Sequence, residues 1–188
     1  MPLYQNTSVD SDKLIIGNYK IEVATVGSSV ASTWDNLGAG MISALGHNIT
    51  KYNVQAGNAP DPMEGIATET FTISGELIEY DGQMLATAYG GILTVGSTAT
   101  SASIIYGGGE ATVTPKSFKL TNTRMVAGAT EQTVILVYKG TFDNGLQFTI
   151  KSDNDEDPIS VMSFSITGKL DSTRTAGDQL YSIRKWID

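Results

Sequence analysis

GIATETFTISGELIEYDGQMLATAYGG, residues 65–91, reads as a long strand running directly into a short helix. From Ala67 to Leu77 the apolar residues Phe71, Ile73 and Leu77 fall on one face; Thr68, Thr70, Thr72, Ser74 and Glu76 fall on the other. An alternation of period two marks a strand with one buried face, and β-branched threonines suit a pleated, half-exposed surface. After Glu76 the pattern slips, because Ile78 and Tyr80 bring apolar side chains to the formerly polar face. Gly75, beside the switch, is placed for a bulge or a close backbone approach. Asp81 then caps a helix over about 81–90, with Met84, Leu85, Ala88 and Tyr89 on one face and Gly90-Gly91 as its stop. The first expectation is a β-sheet with one small helix laid against it.

The rest of the chain extends that picture. At 188 residues, with 40% hydrophobic and 17% charged residues and 20 glycines, it is long enough for one domain with a real core and has a β-rich profile. Residues 14–26 read as a strand with Tyr19, Ile21 and Val23 inward, and 27–40 as a loop anchored by Trp34 and Leu37. A weaker strand covers 43–56, with Ile49 its surest core member, and 55–65 is a loop by its prolines, glycines and acids. Ile92 to Val95 begin an extended piece, 96–103 is a small, polar connection, and 111–121 is a strand containing Val113, Phe118 and Leu120 with Pro115 at an edge or bulge. Residues 122–131 read as a loop. Thr133 to Tyr138 is apolar on both faces and reads as a central strand; Asp143-Asn144-Gly145 turns it into a second strand with Leu146, Phe148 and Ile150 on one face. Residues 153–158 form an acidic loop, 159–170 a strand with Met162, Phe164, Ile166 and Leu170 inward, and the C-terminal LYSIRKWI a last short strand. The fold class is mainly β, an antiparallel β-sandwich or barrel with one short α-helix, in a single domain 1–188 with an extended N-terminal arm at 1–12 and a C-terminal segment at 178–188.

The net charge of −8 is unevenly placed. Between Lys51 and Lys116 there is no Lys or Arg, while Asp61, Glu64, Glu69, Glu76, Glu79, Asp81 and Glu110 give that interval a balance of −7. Such a run is either a solvated acidic face or a surface that repels an anion, and it is the opposite of a basic nucleic-acid footprint. No apolar run is long enough to span a bilayer, and the N-terminus lacks the charged and apolar regions of a signal peptide. With no cysteine there is no disulfide framework, thiol nucleophile or thiolate metal site.

Catalytic patterns are weak. His47 is the single histidine and no G-x-S-x-G elbow accompanies it, so it reads as ordinary surface. Asp153, Asp155 and Asp157 have calcium-loop spacing, but Pro158 and Phe164 stand where such a loop needs Gly and Glu. Gly107-Gly108-Gly109 lacks the Lys and Ser/Thr of a phosphate loop, and Glu76 and Glu79 point to opposite faces of a strand, which does not suit a glycosidase pair. The expectation is a protein that is not an enzyme and needs no cofactor.

From Trp34 onward the order of features resembles that of phage tail tube proteins, also called major tail proteins. Trp34-Asp35-Asn36-Leu37-Gly38-Ala39 is similar to their W-x-x-L-G-A motif. Gly65 to Tyr80 followed by a D-x-x-x-L helix resembles their long central strand; Thr133 to Ile150 resembles the paired strands after it, and Asp157-Pro158-Ile159 through Leu170 the closing strand. The resemblance covers roughly residues 13–185 and implies a β-sandwich-like subunit of the virion tail, made in the host cytoplasm. Copies would join into rings, stacked as a hollow tube around a tape measure protein among other tail proteins; genomic DNA would later pass through, with no membrane involved. It also implies that sheets of neighbouring subunits pair their edges around the bore. Like charge would let a duplex slide, so Glu69, Glu76 and Glu79 are candidates to face the bore. The loop residues Asn58, Pro60, Asp61, Pro62, Met63 and Glu64 are candidates for contact with the next ring. The alternative class is a β-sandwich binding module, carbohydrate-binding or adhesin-like, in which Trp34, Tyr80 or Trp186 stacks on sugar rings.

Overall fold

A computed structural model describes residues 18–27, 33–54, 63–90, 93–98, 102–108, 112–126, 129–145, 147–152 and 160–187. The strands are β1 (Asn18–Thr25), β2 (Asp35–Val54), β3 (Met63–Tyr80), β4 (Leu93–Thr98), β5 (Ala102–Gly107), β6 (Lys116–Val126), β7 (Ala129–Phe142), β8 (Gln147–Thr149), β9 (Val161–Gly168) and β10 (Tyr181–Ile187), with one helix, α1 (Gly82–Ala88). Eight strands run in the order β10-β7-β6-β1-β2-β3-β9-β8, every pair antiparallel. A further pairing of β7 with β9, from Gly140 opposite Gly168 to Phe142 opposite Ile166, closes β1, β2, β3, β9, β7 and β6 into a barrel. β4 and β5 form a separate hairpin.

The barrel interior follows from the period-two pattern. Tyr19, Ile21 and Val23 of β1, Phe71, Ile73 and Leu77 of β3, Phe118 and Leu120 of β6, Ile135 and Val137 of β7, and Met162, Phe164 and Ile166 of β9 form one buried cluster. Each fully buried side chain of this size contributes about 1.5–3 kcal/mol of transfer free energy, which makes this cluster the main source of stability. α1 adds Leu85, Ala86, Ala88 and Tyr89 to the same cluster, and the Tyr89 ring stacks on Phe142 at 4.6 Å. Its start is fixed as the sequence indicates: Met84 N donates to Asp81 Oδ1 at 3.0 Å, while Asp81 N donates to the Leu37 carbonyl.

The irregularity expected near Gly75 resolves into several. The β2–β3 register shifts between Ile42 and Ala44, opposite Gly75 and Ser74, and again where Ala39 and Gly40 face Glu79 and Leu77, leaving Ile78 as the extra residue on β3. Gly75 is the close approach: a Cβ there would overlap the Met41 carbonyl oxygen and lie 2.9 Å from Phe164 Cζ. Gly38, at φ +146°, carries the chain past the Glu79 carbonyl, where a side chain has no room.

Several expectations need correction. The stretch 27–40 is not all loop, because β2 begins at Asp35 and Leu37 is fully buried. Ile49 is not core but 47% exposed, since it lies on the part of β2 that runs beyond the barrel. Part of 96–103 is strand, belonging to β4 and β5, and most of 122–131 is strand, because β6 runs to Val126 and β7 starts at Ala129. The strand after Asp143-Asn144-Gly145 does not pair with β7; β8 pairs with β9, whose same edge β7 already occupies at Ile166–Gly168. Val113, Phe148, Ile150 and Leu170 are exposed rather than core. Pro115 precedes β6 rather than interrupting it, and β10 confirms the last strand.

Candidate functional site

The longest strands make the most distinctive surface. β2 and β3 stay paired from Gly38 opposite Tyr80 to Val54 opposite Met63, but β9 accompanies β3 only between Phe71 and Leu77. Past Phe71 the two strands project as a two-stranded ribbon, residues 48–54 against 63–70. Among the described residues no third strand or layer covers this ribbon, so its apolar side chains are not buried by them. Ile49, Tyr52 and Ile66 on it are 47%, 51% and 56% exposed. Tyr52 lies over its cross-strand partner Gly65, where a Cβ would fall 2.7 Å from the ring atom Cε1. Lys51 and Glu64 pair at 3.4 Å, both well exposed, a contact worth at most about 1 kcal/mol.

At the ribbon's root three strands meet through side chains. His47 Nε2 lies 2.7 Å from Glu69 Oε1, and His47 Nδ1 lies 3.4 Å from the Tyr181 hydroxyl of β10. The Tyr181 ring stacks on Phe71 at 3.9 Å and meets the His47 ring edge-on. A cleft of about 480 Å³ opens beside them, lined also by Leu170, Gln179, Leu180 and Ile183. His47 is therefore a cross-strand link rather than isolated surface. Its signal was present in the sequence: Glu69 has the parity of Phe71 and Ile73, a charge on an otherwise apolar face.

β10 is held on β7 by buried charge. Glu131 is 1% exposed and receives Arg124 of β6 and Lys185 of β10, both at 2.6 Å. Desolvation opposes its ionisation, but the hydrogen bonds from Lys185 and Arg124 outweigh it and hold the carboxyl below its ordinary range. The segment before β10 is tied to β7 as well. The Tyr138 hydroxyl donates to Asp178 Oδ1 at 2.6 Å, and the Arg174 guanidinium lies over the Tyr138 ring at 3.6 Å while bonding Asp178. Sequence reasoning missed this network, whose members lie up to 61 positions apart and meet only through the β6-β7-β10 register.

The three candidate bore-facing acids do not share a face. Glu76, opposite Met41, and Glu79, opposite Ala39, expected on opposite faces, lie together on the outer face of the β6-β1-β2-β3 wall because the extra residue Ile78 resets the parity, with Lys20 and Thr121 in register beyond Ala39. Glu22 of the same wall is bracketed by Lys119 at 2.7 Å and Lys20 at 2.9 Å; desolvation raises its pKa, but these bonds bring the net shift downward. Glu69 faces the other side, against His47. Of the candidate ring-contact residues, Met63 and Glu64 begin β3, whereas Asn58, Pro60, Asp61 and Pro62 lie outside the described residues. So do the arm at 1–12 and Asp153, Asp155 and Asp157. Trp34 is half-buried under Lys119, Tyr80 packs against Phe148, and the Trp186 side chain lies outside what is described. Among the described residues no three His, Asp or Glu side chains gather to hold a metal, and no helix is long and apolar enough to cross a membrane.

No protein-family model matches the chain, and no curated protein does. Among solved structures, one described as the crystal structure of Hcp protein aligns with 90% of this chain and 99% of its own, at 9% identity and a TM-score of 0.37. That likeness is too loose to fix a fold or a function.

Proposed function

We propose that this chain is a structural, non-catalytic subunit that assembles with copies of itself into stacked rings, forming a tube of the phage tail-tube kind. In this reading it belongs to the virion tail, surrounds a tape measure protein, and later conducts DNA. The observation that carries the reading is the ribbon of β2 and β3, with Ile49, Tyr52 and Ile66 about half exposed and the β3 edge unpaired over 63–70 among the described residues. A monomer that kept an uncovered apolar ribbon with a free edge would present a template for strand pairing and aggregation. A heterologous contact with a neighbouring copy covers it, and such contacts build rings when the rotation closes. The outer face of the β6-β1-β2-β3 wall, with Glu76 and Glu79, is then the surface assigned to the bore. Its carboxylates repel phosphate: Glu22, Glu76 and Glu79 outnumber Lys20 and Lys119, both of which pair with Glu22.

Negative-stain microscopy of the concentrated, purified protein tests this. Rings or tubes with an open centre are expected; dispersed single particles at every concentration would reject it.

A further inference from the structure

One seam in the barrel wall is open. β9 and β10 lie in line along the same edge of β7, β9 opposite Gly140–Phe142 and β10 opposite Glu131–Val137. β9 is also paired with β3, through Phe71–Leu77. Its successor β10 is not: among the described residues no strand bonds to the edge of β3 over 63–70, nor to the outer edge of β10. The excursion 169–180, tied to β7 through Tyr138 and Asp178, separates β9 from β10 at this point. β3 and β10 touch at the root of the seam, where Tyr181 stacks on Phe71, and the cleft of about 480 Å³ opens there. Two rows of unpaired backbone groups flanking a cleft of mixed lining, Leu170, Leu180 and Ile183 beside His47, Glu69 and Gln179, fit one kind of occupant, an extended strand that bonds on both sides.

We propose that this seam receives the N-terminal segment, residues 1–17, of a second copy of the chain. The inference rests on the self-assembly proposed above. The length and exit point of that segment argue for it. β1 runs antiparallel to β2 from Asn18 opposite Met41 to Val23 opposite Asp35, so its first residue, Asn18, stands at the ribbon end of the barrel. Seventeen residues reach roughly 55 Å when extended, enough to cross to a neighbour. In its own molecule β1 stands diametrically opposite the seam, with β2 and β3 on one side and β6, β7 and β10 on the other. A chain reaching its own seam would have to cross the end of the barrel before it met Phe71, Tyr181, His47 and Glu69 at the seam's root. Leu3 and Tyr4 supply apolar side chains for the part of the cleft lined by Leu170, Leu180 and Ile183.

Hydrogen exchange on the full chain tests this. Amides of 64–70 and 182–187 should slow at least about tenfold as concentration rises, in parallel with assembly. The double substitution Leu3→Asp with Tyr4→Asp should abolish that slowing while the amides of Phe118, Leu120 and Ile135 stay protected, which shows the barrel intact. A synthetic peptide of residues 1–17 added to the double variant should restore it, and a scrambled peptide should not. Slowing that is independent of concentration would assign the seam to the chain's own segment and overturn the proposal. Equal exchange in both proteins at every concentration would overturn it too. Microscopy of the same samples separates the two readings. Tubes with a freely exchanging seam sink only this inference, whereas a protected seam without tubes sinks only the tube.

Discussion

Gly75→Ala tests whether β3 is threaded as tightly as its register requires. Gly75 sits where β3 is bonded to β2 and β9 together, opposite Ile42 and Phe164. An added Cβ would overlap the Met41 carbonyl oxygen, a backbone atom at the β2 bulge, and stand 2.9 Å and 3.0 Å from two atoms of the Phe164 ring. Relief requires the β2 backbone to retreat by about 1 Å and the buried Phe164 ring to move with it, an overpacking cost of about 1–3 kcal/mol. Against this, Gly→Ala lowers the entropy of the unfolded chain, worth about 0.4–1 kcal/mol of stabilisation. The net expectation is a loss of about 1–2 kcal/mol, or roughly 2–8 °C in Tm for a domain of this size. Gly145 is the internal control, because a Cβ there meets nothing within 4 Å and its φ is not in the left-handed region. Gly145→Ala should be neutral or stabilising by up to about 1 kcal/mol. Urea unfolding of both variants with unchanged m-values gives the comparison. If Gly75→Ala proved as stable as Gly145→Ala, the close approach of β2 and β3 would be wrong, and with it the register that launches the ribbon.

Three further outcomes follow from buried groups. Leu85→Ala, at a fully buried helix position, should cost about 2–5 kcal/mol by calorimetry; a cost under 1 kcal/mol would mean α1 is not part of the core. Tyr89 is 2% exposed, its hydroxyl has no hydrogen-bond partner among the described residues, and burial pushes its pKa up to about 12. Because the folded phenol ionises later than an unfolded one at about 10, stability should be full below pH 10 and fall as pH rises above it. Tyr89→Phe should soften that alkaline decline and match or exceed the parent in stability at pH 7, as denaturant titrations at pH 7 and 10.5 would show. Glu131 has the opposite sign: a folded pKa held below the unfolded value stabilises above about pH 4.3, and that contribution is lost as pH falls through the folded pKa. Glu131→Gln should therefore show a smaller stability difference between pH 6 and pH 3 than the parent, and an equal difference would remove the charge from the account of how β10 is held.

Much of the architecture was legible because the wall of the barrel obeys period two. Phe71, Ile73 and Leu77 announced the inner face of β3, Tyr19, Ile21 and Val23 that of β1, and Asp81 the start of α1. What escaped had physical reasons. Gly38-Ala39-Gly40 looks like loop because side chains are missing, yet they are missing because β3 passes too close for a Cβ at Gly38 and Gly40. The facing ends of β4 and β5, Gly96-Ser97-Thr98 and Ala102-Ser103, are small and polar, so their composition reads as a connection. Asp143-Asn144-Gly145 signals a turn, but a turn does not decide which strand the chain pairs with next, and β9 took both candidates. Ile49 looked like core because hydrophobicity does not reveal that β9 stops at Phe71 and leaves the ribbon uncovered. The surface assigned to assembly was visible only as a charge interval and a resemblance; parity already turned Glu69 away from Glu76, but that Glu79 joins Glu76 depended on the bulge at Ile78.

Ile66, 56% exposed on the ribbon, tests the central claim most directly. Sedimentation velocity of the parent and of Ile66→Glu, across a hundredfold range of concentration, reads assembly without imaging. Surface position limits the effect on folding to about 0.5 kcal/mol, so a change in mass reports the contact and not the fold. The parent should move from 20.0 kDa to discrete multiples and then to fast-sedimenting tubes, while Ile66→Glu stays at 20.0 kDa with an unchanged Tm. A parent that remains at 20.0 kDa throughout, or a variant that assembles equally well, would contradict the claim that the ribbon exists to bind another copy.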